Sequence, residues 1–116
     1  MSTPAFTQIE PTPWPSGRGE AIATTRVRPE LLSRAFGLSF EESDVLRSRE
    51  AAAIRMRSGR MLGLVRQRSG SRSGTELNAD SADRFMDALT EFLDAFDLSV
   101  QDLSWIRDDL RASTAG

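Results

Sequence analysis

The segment EAAAIRMRSGRMLGLVRQR, residues 50–68, decides how this chain folds. Apolar residues recur at alternate positions on both sides of Ser58-Gly59. Successive side chains of a strand point to opposite faces, so a period of two marks a half-buried strand. A short glycine-containing break between two such stretches marks a hairpin. With Ser58-Gly59 as the turn, Met56 faces Met61, Ile54 faces Gly63 and Ala52 faces Val65, and these six share one apolar face. The opposite face carries Arg55 and Arg57 across from Leu62 and Arg60, with Arg66 and Arg68 farther along. A helix over 41–57 competes, because Glu50-Ala51-Ala52-Ala53 has helix propensity. The hairpin is preferred because it also uses the glycine turn and the second apolar stretch.

Beyond the hairpin, Thr75 to Asn78 supplies a third strand after a Gly/Ser loop. Glu20 to Val27 alternates small and β-branched residues and runs into Arg28-Pro29, which favours an extended segment. Pro29 suits the first position of a helix over 29–36, with Leu31, Leu32, Ala35 and Phe36 as its apolar face and Gly37 closing it. The strongest periodicity lies over 81–96. There Ala82, Phe85, Met86, Leu89, Phe92, Leu93 and Phe96 share one side of a helix, and Asp83, Asp87, Glu91 and Asp94 the other. Asp80 is its expected N-cap. Ser99 and Asp102 have the spacing of a capping box for another short helix. Leu103-Ser104-Trp105-Ile106 reads equally as helix or strand.

The expected fold is α+β: a small antiparallel sheet of about three strands, with its hairpin near 50–68, packed against the 81–96 helix and a short helix near 29–36. At 116 residues the chain has the length of one domain, expected over 20–111. Four of its five prolines fall in the first 17 residues, so 1–19 is expected to be an extended, disordered tail, and 112–116 a flexible end. Phe6, Ile9 and Trp14 give that tail a means of docking.

Composition removes much chemistry. There is no cysteine and no histidine, which excludes disulfides, thiol catalysis, imidazole bases and thiolate or imidazole metal sites. No run approaches the ~20 apolar residues of a spanning helix. No basic cluster followed by an apolar stretch opens the chain, so a cytoplasmic location is expected. Gly70-Ser71-Arg72-Ser73-Gly74 has arginine where a nucleophile elbow needs serine, and lacks the lysine of a phosphate loop. Asn78 and Asp80 open like a calcium loop, but Ala82 takes a ligand position. Asp108-Asp109 reads as a solvated pair. No enzyme, cofactor or metal is expected.

The informative feature is charge. All 15 basic residues are arginine, a planar fork suited to carboxylate and phosphate. Residues 18–72 carry a net +6 and residues 73–116 a net −7, which the overall −2 conceals. Arg55, Arg57, Arg60, Arg66, Arg68 and Arg72 are the candidate basic face; the alternative is a solvated sheet face. Asp83, Asp87, Glu91 and Asp94 are the candidate acidic face, against the alternative of a hydrated helix exterior. Residues 31–39 resemble the first helix and turn of a helix-turn-helix only superficially. The following Phe40-Glu41-Glu42-Ser43-Asp44 would repel phosphate. The expected function is a non-enzymatic protein-binding module, a small regulator or inhibitor, whose partner is another protein or a second copy. The alternatives are an anion- or nucleic-acid-binding module on the hairpin, or a self-assembling structural subunit. No membrane partner is expected.

Overall fold

The computed structural model describes residues 5–43, 49–66 and 74–114. Its elements are β1 (Phe6–Ile9), β2 (Gly19–Thr25), α1 (Pro29–Phe36), β3 (Glu41–Ser43), β4 (Arg49–Met56), β5 (Met61–Arg66), β6 (Thr75–Asp80), α2 (Phe85–Ala95), a 3-10 turn (Val100–Asp102), β7 (Leu103–Ile106) and α3 (Asp108–Thr114). The seven strands form one antiparallel sheet in the order β1-β4-β5-β6-β2-β7. β1 and β3 lie end to end on the outer edge of β4. The expectation of about three strands is therefore corrected to seven among the described residues. The strands missed are short: β1 and β7 have four residues each and β3 has three. Alternation over so few positions is not a signal.

The β4–β5 hairpin forms where expected, but one residue out of the expected register. Ile54 pairs with Leu62, Ala53 with Gly63, Ala52 with Leu64 and Arg55 with Met61. The loop has three residues, Arg57 to Gly59, not two. Met56 N–H donates to Arg60 C=O at 2.8 Å, and Gly59 N–H to Met56 C=O at 2.8 Å. Gly59 has φ +95°, which glycine adopts without a Cβ clash. A slip of one residue turns every β5 side chain to the other face. Leu62 and Leu64 thus join Ile54 and Met56 toward the helices, while Met61 and Val65 join Ala51 and Ala53 on the back.

α1 and α2 pack on the same face of the sheet. The main core joins Ile22, Ile54, Leu62, Leu64 and Leu77 to Leu32 of α1 and to Leu89, Phe92 and Leu93 of α2. Phe6, Phe36, Phe92 and Phe96 form an aromatic group, with Phe6 stacked on Phe96 at 4.6 Å and Phe36 edge-on to Phe96 at 4.7 Å. Of the apolar side expected for α1, only Leu32 is buried. α2 begins at Phe85, not near residue 81, because β6 runs on to Asp80, which pairs with Gly19. Asp80 consequently caps no helix. The Ser99–Asp102 capping box forms around the 3-10 turn, and Leu103–Ile106 is a strand.

The proline-rich segment is extended, as its composition requires. From Ala5 onward it lies against the sheet, which differs from a free tail. β1 pairs with β4, and Ile9 and Trp14 cover Ala51, Ala53, Met61 and Val65 on the back face. Trp14 lies against Gly19, where any Cβ would overlap the indole. Ser16 N–H donates to Asp80 Oδ2 at 2.9 Å, and Ala82 N–H to Asp80 Oδ1 at 2.8 Å.

Two outcomes are expected from these contacts. Phe92→Ala, which empties a site 1% exposed, should cost about 3–5 kcal/mol in urea unfolding. Burial alone would raise the Asp80 carboxyl, but hydrogen bonds from Ser16 and Ala82 outweigh it and hold the group below its ordinary value. A carboxyl depressed by folding adds stability above its unfolded pKa of about 3.9 and loses it as pH falls through the lower folded value. Asp80→Asn should therefore cost about 1–3 kcal/mol at neutral pH and progressively less in acid, measured by urea unfolding across the acid range.

Candidate interaction surface

The register of β5 disperses the predicted arginine face. Arg60 and Arg66 sit at opposite ends of β5 and turn, with Leu62 and Leu64, toward the helices. Arg60 Nη1 donates to Glu91 Oε1 at 2.7 Å, and its Nε lies 3.6 Å from Asp83 Oδ2. Arg66 pairs with Glu30 of α1 and Glu50 of β4, each at 2.5 Å. Arg55 lies on the back face and Arg57 in the turn, both exposed. Arg68 and Arg72 lie outside the described residues. The four described arginines of that set thus do not share one surface.

The predicted acidic face divides in the same way. Asp83 and Glu91 are half-buried against Arg60, while Asp87 and Asp94 are exposed. Burial is the main reason the Asp83 carboxyl is raised; Arg60 opposes the shift, and the charges of Asp80 and Glu91 reinforce it. For Glu30 the hydrogen bond from Arg66 is the largest cause of a lowered carboxyl, with a smaller pull from Arg28. Arg107 makes a third internal junction. It pairs with Glu20 and with Asp109, and lies 4.9 Å over the Phe85 ring.

Three arginines outside these junctions stand together at α1. Arg28 precedes Pro29, whose ring forces it into an extended conformation, φ −76° and ψ 150°, at the helix N-terminus. Arg34 follows six residues later on the last turn, and Gly37 in the left-handed region closes the helix. Together with Arg26, Val27, Glu30 and Leu31 they line an open cleft of about 380 Å³. Arg26 Nη1 donates to the Gln101 carbonyl at 2.5 Å, which fixes one wall. Among the described residues, Arg28 and Arg34 form no ion pair. Leu31 is 52% exposed, the largest exposure among the exposed large apolar residues.

The hairpin drew the sequence reading away from this cleft. No local signal marked it. Adjacent residues lie about 100° apart on a helix, and Phe92 and Leu93 of α2 both enter the core, so the pair Leu31-Leu32 did not announce that one leucine would stay outside. Comparisons with protein-family models, with curated proteins and with solved structures gave no match. No helix among the described residues is long and apolar enough to cross a membrane.

The Arg60–Glu91 pair, with side chains 20% and 23% exposed, should show a coupling of about 0.5–1 kcal/mol. A double-mutant cycle with Arg60→Ala and Glu91→Gln, read by urea unfolding, should give a coupling that shrinks in high salt.

Proposed function

We propose that this chain is a cytoplasmic, non-enzymatic protein-binding module, a small regulator or inhibitor that covers a surface of its partner. It acts through oppositely charged regions. The observation that carries this reading is the division of charge. Arg60, Arg66 and Arg107 are neutralised within the domain by acids from other elements. Among the charges outside those pairs, Arg26, Arg28 and Arg34 stand together around the α1 cleft, and Asp87 and Asp94 are exposed on α2. Opposed unneutralised patches give orientation and rate to association with another protein.

Two further observations support a binding role. The cleft joins the exposed apolar side chain of Leu31 to arginine, a residue enriched at the anchoring points of interfaces. The buried acids Glu76 and Asp80 hold the fold: Asn78 donates to Glu76, and Ser16 and Ala82 donate to Asp80. A nucleic-acid surface on the hairpin is less favoured, because Arg60 and Arg66 are paired with acids of the same chain.

Charge reversal tests the reading. Arg28→Glu/Arg34→Glu and Asp87→Arg/Asp94→Arg are compared with the wild type in cross-linking from native-host extract. A partner retained by the wild type and lost from one variant, with unchanged thermal unfolding, is the expected result. Equal capture by all three, or no captured protein together with a monomer at low and high salt, overturns it.

A further inference from the structure

We infer, resting on the module reading above, that the α1 cleft binds an acidic peptide segment of another protein. One apolar side chain of that segment lies on Leu31 and Val27, and its flanking carboxylates are held by Arg28 and Arg34.

Three features of the cleft specify such an occupant. Its floor is apolar, since Leu31 and Val27 line it and Leu31 is half in solvent. Burying a leucine-sized side chain there removes apolar surface from both partners. Its rim is cationic. Glu30, the acid of the cleft, is bonded to Arg66 and feels the charge of Arg28; against that one acid, Arg26, Arg28 and Arg34 leave the lining net positive. Guanidinium forks take carboxylates in paired hydrogen bonds. Its length also fits. Arg28 and Arg34 are six residues apart, about 9 Å at a helical rise of 1.5 Å per residue. In an extended peptide alternate side chains share a face, so acids at positions i and i+4 flank an apolar side chain at i+2. Their separation of about 13 Å is within reach of two long arginine side chains.

Two other occupants fit less well. A second copy offers Asp87, Thr90 and Asp94 along the exposed side of α2, so it has carboxylates at suitable spacing but threonine where the floor asks for a larger apolar group. Nucleic acid would meet the arginines, but no aromatic side chain lines the cleft to stack a base.

The test is selection of a displayed random-peptide library on the wild-type chain, with counter-selection on Arg28→Gln/Arg34→Gln. Enriched peptides are expected to carry Asp or Glu on both sides of Leu, Ile, Met or Phe. In fluorescence anisotropy, a labelled enriched peptide should bind about tenfold or more weakly to Arg28→Gln/Arg34→Gln. It should bind roughly threefold or more weakly to Leu31→Ser, and within about twofold of wild type to Asp87→Asn/Asp94→Asn. Failure to enrich, enrichment without acids, or equal binding to the arginine variant overturns the inference. So does tighter binding of a labelled oligothymidylate, or sedimentation that reveals self-association abolished by Asp87→Asn/Asp94→Asn. A protein partner whose capture survives Arg28→Gln/Arg34→Gln leaves the module reading in place and removes only this occupant of the cleft.

Discussion

Leu62 and Leu64 can bury themselves against α1 and α2 only if β5 pairs with β4 so that Ile54 stands opposite Leu62. That pairing requires the three-residue loop and the positive φ of Gly59. The alternative pairing would place Met61, Gly63 and Val65 toward the helices. Two leucines fill more of the inter-layer space than a glycine at the centre of the strand could. Large side chains face the thick helical layer, and small ones face the strap that crosses the back. Ala51, Ala53 and Gly19 leave room there for Ile9 and Trp14. A sheet whose back face is filled by its own N-terminal segment covers both sides without a second layer of helices.

The same register sets the electrostatics. Residues of even number on β5 point toward the helices, and that sends Arg66 with the leucines; Arg60, opposite Met56 at the mouth of the loop, goes the same way. Each meets acids from elsewhere in the chain: Arg60 meets Glu91 and Asp83, and Arg66 meets Glu30 and Glu50. Half-buried pairs of this kind add modest stability, but they join the hairpin to both helices at specific points. The strong polarity of charge along the sequence is thus partly cancelled by folding. Part of what survives lies on the exteriors of α1 and α2, and the α1 cleft combines it with exposed apolar surface.

Much of the fold was legible. The helix over Pro29–Phe36 follows from Arg28-Pro29 at one end and Gly37 at the other, signals that act within a few residues. The amphipathic run around Phe92 and the Ser99–Asp102 box are local in the same sense. The errors fell where local signals conflict or end. Met61-Leu62-Gly63-Leu64-Val65 is apolar on both of its faces, so alternation could not choose the register. Asp80 has the chemistry of a helix cap, yet its backbone pairs with Gly19 and its carboxylate holds Ser16. β1, β3 and β7 have too few residues to announce themselves and exist because neighbouring strands offer edges.

The sequence by itself determined the bounds of α1, the amphipathic run that becomes α2, the place of the hairpin and its glycine turn, and the exclusion of histidine and cysteine chemistry, because each depends on residue types alone or close together in the chain. The start of α2 and the whole of α3 were not legible there. Only the tertiary structure decided which arginines remain open to a partner. Whether a guanidinium is neutralised depends on acids as far away as Glu91 is from Arg60, and on a register that no local pattern dictates. Long-range pairing selects among the arrangements that local propensity permits, and the surface left to act is the remainder of that selection.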